Sequence, residues 1–320
     1  MSPSENQAGG DPRGEFDYID WIRAQLASDP RVTIGSGDDM AEVLVPGDAG
    51  GTARVLIGTD TILDGVHFDL SRDSLREVGW KSLAVNLSDA AAMAGLPIAA
   101  VGTVALPKTF SAQDARDLFE GMRQCAEAYH CAWVGGDITA WDKPLAITVT
   151  VLAHAAHPVC RSGARAGHLV CVTGELGGSL LGRHLRFPPR VAEAQQLVTS
   201  LRLGAMIDLS DGLSSDVGHL CDESGVGVVI EADRVPISAA AREMAARDGR
   251  SPLEHALNDG EDFELLFTVE AADADKLRRL DLGVGVSVVG RMVEAAEGRL
   301  LVDAAGTARP LEPGGYEHWR

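Results

Sequence analysis

The sequence predicts a two-domain α/β (α+β) chain. Three observations carry that expectation. The 320 residues are 45% apolar, enough to bury more than one core. Strand-like runs and segments of helical period follow one another along nearly the whole length. Near residue 155 a β-rich run ends, and a new set of strands and helices starts after Arg161. The expected units are residues 15–155 and 156–320, behind a polar leader, residues 1–14, that lacks the apolar segment of a signal peptide.

In chain order, Phe16, Ile19, Ile22, Arg23 and Leu26 have helical spacing and Pro30 stops that helix. Two strand-like runs, residues 41–45 and 54–59, flank a turn-rich stretch, with Asp60 at the end of the second. Ser74 is placed to cap a long Ala-rich helix running to Met93, with Gly95 as its stop and Asn86 and Asp89 on one face. A strand over 99–106 precedes a helix opened by the capping box Ser111 and Asp114. Strands near 132–134 and 145–153 complete the first domain. The second restarts with a strand over 169–173, two helical stretches and a strand over 205–209. Helix 213–223, strand 226–231, helix 238–247, strand 263–269 and helix 271–280 follow.

The net charge of -19 repels nucleic acid and anionic membrane surfaces, so neither is an expected partner. The longest apolar stretch, residues 90–106, is broken by Gly95, Pro97 and Gly102 and is too short to span a bilayer. Cys125, Cys131, Cys160, Cys171 and Cys221 form no C-x-x-C pair; scattered free thiols point to a reducing compartment, read as the cytoplasm.

Carboxylates recur beside glycine or a small hydroxylated residue. They do so at Ser36-Gly37-Asp38-Asp39, Gly58-Thr59-Asp60, Ser88-Asp89, Gly135-Gly136-Asp137, Asp208-Leu209-Ser210-Asp211 and Asp259-Gly260-Glu261-Asp262. Each alone suits a turn or a helix cap. Together they suit several Mg²⁺ ions, which take oxygen ligands from separate segments and leave room for phosphates. There is no Gly-Lys dipeptide, hence no Walker A loop, and four lysines in all (Lys81, Lys108, Lys143, Lys276). Any polyphosphate must be neutralised through metal ions.

With these segments in order, the chain resembles the thiamine-monophosphate kinase family, in the superfamily of aminoimidazole ribonucleotide synthetase and selenophosphate synthetase. The resemblance rests on G-S-G-D-D (35–39), T-D-T-I-L-D-G-V-H-F (59–68), G-W-K-S-L-A-V-N-L-S-D-A-A-A-M (79–93), G-G-D (135–137), R-S-G-A (161–164), I-D-L-S-D-G-L (207–213) and G-E-D-F-E-L-L-F (260–267). It implies an aminoimidazole ribonucleotide synthetase-like fold, a homodimer whose N-terminal strands form a shared barrel, and ATP with several Mg²⁺ ions between the domains. Carried over by position, Asp39, Thr59, Asp60, Asp89, Asp137, Asp208 and Asp211 correspond to metal ligands. Gly136, Asp137, Arg161 and Ser210 correspond to ATP contacts, and His67, Glu261 and Tyr316 to thiamine-phosphate contacts.

Three positions depart from the family pattern. Gly58 stands where many relatives carry serine, Asp259 replaces the first glycine of G-G-E-D and adds a carboxylate near the acceptor pocket, and Ala140 stands where arginine is frequent. The implied reaction is direct phosphoryl transfer from ATP to thiamine monophosphate. The acceptor's second pKa is near ~6, so it is ionised at neutral pH and no side-chain base is expected. The rivals are amide or carbonyl activation by another enzyme of the superfamily, and a nucleotide-binding dimer without turnover. Selenide chemistry would want a Cys and a Lys in residues 1–40, which contain neither.

Overall fold

The computed structural model describes residues 15–47 and 50–316; the leader expected over 1–14 lies outside the described residues. Among the described residues the strands form two sheets. The first contains β1 (Val32–Ile34), β2 (Ala41–Pro46), β3 (Thr52–Leu63), β4 (Leu96–Pro107), β5 (Ala132–Trp141) and β6 (Ala146–His154), in the order β1-β2-β3-β6-β4-β5. Neighbours are antiparallel except β4 and β5, which run parallel across the helix α3 (Ala112–Ala128). The second contains β7 (Leu169–Thr173), β8 (Leu203–Asp208), β9 (Val226–Glu231), β10 (Leu265–Val269), β11 (Val286–Glu294), β12 (Arg299–Val302) and β13 (Ala308–Pro310). Its order is β13-β12-β9-β11-β7-β10-β8.

The helix α2 (Leu75–Ala92) joins the two layers. Ser74 caps it, its hydroxyl accepting from the Glu77 N–H while Glu77 reaches back to the Ser74 N–H. Most of its circumference is buried: Leu83, Ala84 and Leu87 pack into the core of the first sheet, and Ala91 into that of the second. A helix apolar on all sides is expected where it is covered on all sides. Its crossing with α3 is a backbone contact. A Cβ on Gly79 would lie 2.0 Å from the Leu118 carbonyl oxygen, and one on Gly121 2.0 Å from that of Arg76. Any side chain at either position would push the helices apart and withdraw Asp89 from the second sheet.

Along β3 side chains alternate: Leu56 and Ile62 face the helices, while Ile57, Thr59, Thr61 and Leu63 face the open side. The second sheet is covered on both faces, one by α5 (Leu213–Ser224) and α7 (Pro252–Asn258), the other by α4 (Val191–Ser200) and α8 (Ala274–Arg279). Accordingly β10 is buried at every residue, and its sequence Leu-Leu-Phe-Thr-Val shows no polar alternation.

Several boundaries differ from the expectation. Helix α2 stops because Ala94, not Gly95, takes the left-handed conformation, with φ of 53°. Asp60 lies inside β3, which continues to Leu63. Gly135-Gly136-Asp137 is strand, not loop: with no side chain, Gly136 lets β5 pair with β4, where a Cβ would meet the Gly102 oxygen at 1.9 Å. The residues from 271 form a short 3-10 turn and then α8, and α7, β11, β12 and β13 were not anticipated.

Candidate active site

Four aspartates from four elements meet where the two sheets approach. Asp39 comes from the loop between β1 and β2, Asp60 from β3, Asp89 from the last turn of α2, and Asp208 from the end of β8. One carboxylate oxygen from each of Asp39, Asp89 and Asp208 falls within 4.8 Å of the others, and the Asp60 and Asp89 carboxyls are close enough to shift each other's ionisation. Ser88 Oγ donates to Asp208 Oδ2 at 2.6 Å. Arg161 Nη2 donates to Asp39 Oδ1 at 2.9 Å, and its backbone N–H to Asp38 Oδ1 at 2.6 Å.

Burial first, then the neighbouring negative charges, raises Asp60 and pushes Asp89 well above the usual carboxylate range. Asp208 goes to about 8 for the same reasons, against the pull of the Ser88 bond and Arg161. Buried carboxylates this close must either take up protons or share a cation. The donor set is all oxygen, which fits Mg²⁺. Asp211, Asp216 and His219 form a second group of potential ligand atoms within 4.8 Å at the start of α5.

The cluster borders a cleft of about 540 Å³ whose lining includes Asp60, Asp89, Asp208, Ser210 and Asp211 together with His67, Glu261 and Tyr316. Backbone bonds place these walls. Glu261 N–H donates to Ser210 O and Phe263 N–H to Leu209 O, extending the pairing of β10 with β8, and Tyr316 N–H donates to Asp211 O. Gly260 makes this possible: its φ is +70°, and a Cβ would meet Ser210 O at 2.6 Å. Leu63 N–H donates to His67 Nδ1 at 3.1 Å, so the neutral ring carries its proton on Nε2.

Within one chain, three of the expected site residues lie apart from the cluster. Thr59 turns to the open face of the sheet, where its hydroxyl donates to Val149 O and accepts from Thr150 Oγ1. Gly136 and Asp137 sit on the edge strand β5. Asp137 pairs with Thr103, Thr103 with Thr148 and Thr148 with Thr61. Asp137 is therefore three strand spacings, about 14 Å, from β3, and on the face opposite Asp60.

The departures also resolve. A Cβ at Gly58 would lie 3.1 Å from Met40 Cγ, so Met40 takes the space a serine would need. The Asp259 carboxylate, 2% exposed, accepts from Gly178 N–H at 3.1 Å, lies 2.9 Å from His255 Nδ1 and is reached by Arg250. As expected, it lies at the cleft, whose lining includes Asp259, but its charge is paired there with Arg250 and His255. Ala140 lies on exposed β5, away from the cluster.

The profile of "AIR synthase related protein, N-terminal domain" matches residues 37–155, and that of the corresponding C-terminal domain residues 163–303. A thiamine-monophosphate kinase of Rhodopirellula baltica is 42% identical over 282 residues, 87% of this chain and 89% of the relative. The chain belongs to the thiamine-monophosphate kinase family. One of Aquifex aeolicus is 33% identical, over 88% of this chain and 96% of its own. The solved structure of "AaThiL complexed with AMPPCP and TMP" superposes with a TM-score of 0.81 at 31% identity, covering 95% of this chain and 97% of that one. The mixed α/β, two-domain fold is that of the AIR synthase-related proteins.

The site also contains side chains to which the motifs assign no role, one of them, Lys81, within a motif itself. Lys81 and His184 are buried against the Glu261 carboxylate, and Asp216 and His219 join Asp211. A signal for Lys81 was present: it precedes Val85 and Asp89 at intervals of four, on the stripe of α2 that faces the cleft. His184, in a short 3-10 turn far along the chain, had none.

Proposed function

We infer that this kinase transfers the γ-phosphoryl group of ATP directly to the phosphate of thiamine monophosphate, giving thiamine diphosphate and ADP. One observation carries the reading: a single cleft is lined both by Asp60, Asp89 and Asp208 of the aspartate cluster and by His67, Glu261 and Tyr316. Asp39, Asp60, Asp89 and Asp208 would hold Mg²⁺, with Asp211 beside them. Mg²⁺ bound there supplies charge neutralisation between the donor and acceptor phosphates. The chain's own part is orientation. Arg161, clamped by Asp39, presents a planar fork at the cluster. Val66, Phe68 and Phe263 give the cleft apolar surface for the acceptor's rings, and Glu261 supplies a carboxylate suited to a thiazolium cation or a pyrimidine amine. His67 Nδ1 is occupied by Leu63 N–H and His184 by the Glu261 pair, so neither is placed as a general base. The acceptor's second ionisation, near ~6, makes one unnecessary.

The proposed assembly is a homodimer. The open face of the first sheet carries exposed Ile57, Leu63, Ile98 and Val101, and β5 leaves one edge unpaired within the chain. A second copy there would let Asp137 serve the partner's cluster, since it cannot reach its own. Gly136 and Asp137 also border an apolar recess of about 190 Å³ walled by Phe119 and Trp133, suited to a flat base.

Residues 15–155 and 156–320 are the proposed domains, supported by the gap between β6, ending at His154, and β7, starting at Leu169. Among the described residues no helix is long and apolar enough to cross a membrane. The proposed compartment is the cytoplasm, supported by five free cysteines, four of them buried. Coupled ADP-release assays with thiamine monophosphate, Mg²⁺ and ATP test the function; absence of acceptor-dependent ADP rejects it.

A further inference from the structure

We propose that Lys81 and His184 are positioning residues for the acceptor, holding the Glu261 carboxylate in one orientation at the cleft wall. The proposal rests on the kinase reading above, which assigns Glu261 to the acceptor.

Three side chains from three elements meet here. Lys81, on α2 and 0% exposed, donates through Nζ to Glu261 Oε1 and Oε2, both at 2.8 Å, and to the His67 carbonyl at 2.6 Å. His184 Nδ1, from the 3-10 turn at 183–185, lies 2.9 Å from Glu261 Oε2 and 2.9 Å from Lys81 Nζ. The exposure is graded: the Glu261 side chain is 18% exposed and lines the cleft, His184 borders the cleft beside it at only 2%, and Lys81 lies behind at 0%. An ion pair serving the core alone would have no reason to open one end to a substrate cleft.

The backbone is arranged to the same end. Glu261 has φ of 53°, and Phe263 two residues later has 49°. Such conformations are held against about 1–3 kcal/mol of strain each for residues other than glycine. In this conformation the Glu261 N–H bonds Ser210 O while its carboxylate meets Lys81. Burial alone would raise the Glu261 carboxyl, but the His184 hydrogen bond and the Lys81 charge leave it below the usual range. Glu261 thus faces the cleft as an anion whose oxygens are fixed from behind. Because the same ammonium also holds the His67 carbonyl, Lys81 sets the spacing between two walls of the acceptor pocket.

Neither Lys81 nor His184 contacts the aspartate cluster in this arrangement, so the two substrates should respond differently. His184→Ala is expected to raise the KM for thiamine monophosphate roughly tenfold while the KM for ATP stays within about twofold. His184→Asn, whose Nδ2 can stand in for Nδ1, should recover most of the loss. Lys81→Met should give the larger acceptor defect. Its fold is checked by the KM for ATP and by thermal unfolding, and if it does not fold, the His184 pair decides. A His184→Ala variant with an unchanged KM for thiamine monophosphate overturns the proposal. So does a parallel rise in both KM values, or failure of His184→Asn to rescue. Wild-type protein assayed alongside separates the two levels: no acceptor-dependent ADP from wild type removes the functional reading itself, whereas active wild type with an indifferent His184→Ala removes only the positioning role.

Discussion

Ser88 Oγ donates to Asp208 Oδ2 at 2.6 Å, joining the last turns of α2 to the end of β8. One hydrogen bond therefore connects the core helix of the first sheet to the edge strand of the second, at the point where the carboxylates gather. Asp208→Asn keeps an acceptor for that bond and removes one of several crowded negative charges. Turnover should be lost, while the melting temperature of the metal-free protein at pH 8 should rise. A drop in melting temperature with turnover retained would contradict the crowded-charge account of the cluster.

Metal-free stability should fall as pH rises from about 6.5 to 8. Asp208 titrates at about 8 in the folded chain against an ordinary 3.8, and Asp60 and Asp89 are also raised. Over that window the folded state binds more protons than the unfolded one, so raising pH favours unfolding. Below about 6.5 the effect is opposed by His168 and His219, whose folded values are lowered. Mg²⁺ needs the deprotonated carboxylates, and its stabilising effect should grow with pH. Urea titrations with EDTA and with Mg²⁺ at pH 6.5, 7.2 and 8, conditions chosen about this window, would measure both slopes; a flat EDTA series refutes the prediction.

Gly58→Ser should destabilise by about 1–3 kcal/mol, because its Cβ would meet Met40 Cγ at 3.1 Å and Cε at 3.3 Å. Met40→Ala opens that space, and the double variant should be more stable than the sum of the single effects predicts. Denaturant midpoints for the four proteins form a double-mutant cycle. Additivity would mean that Met40 does not restrict residue 58.

Asp259→Ala should cost about 1–3 kcal/mol of stability, since it strands the buried Gly178 N–H and removes one partner of the fully buried His255. An electrostatic role in the acceptor pocket would show instead as a change in the KM for thiamine monophosphate with stability unaltered.

Asp137 offers a test of the assembly. If it serves the partner's cluster, Asp137→Asn and Asp60→Asn subunits should each be inactive alone. A mixed and reassociated population should regain about a quarter of wild-type activity, because half the dimers are mixed and each contains one intact site. No recovery after verified subunit exchange would place Asp137 elsewhere.

The acidic character of the site, the length and cap of α2, and the family are legible in the order of residues. Long motifs such as V-N-L-S-D-A-A-A-M and the Ser74 capping box are local, and local chemistry is written in neighbouring residues. The sequence also indicated that Asp60, Asp89 and Asp208 belong to one site, though not by which contacts. Which of the motif residues meet depends on how the elements pack. Thr59 and Asp60 are adjacent in sequence yet face opposite sides of β3, because strand side chains alternate. Asp137 is separated from the cluster by strand order, which no local pattern encodes. Lys81, His184 and Glu261 stand 103 and 180 residues apart along the chain from Lys81. Their contact exists because a buried ammonium must find its partners wherever the fold supplies them.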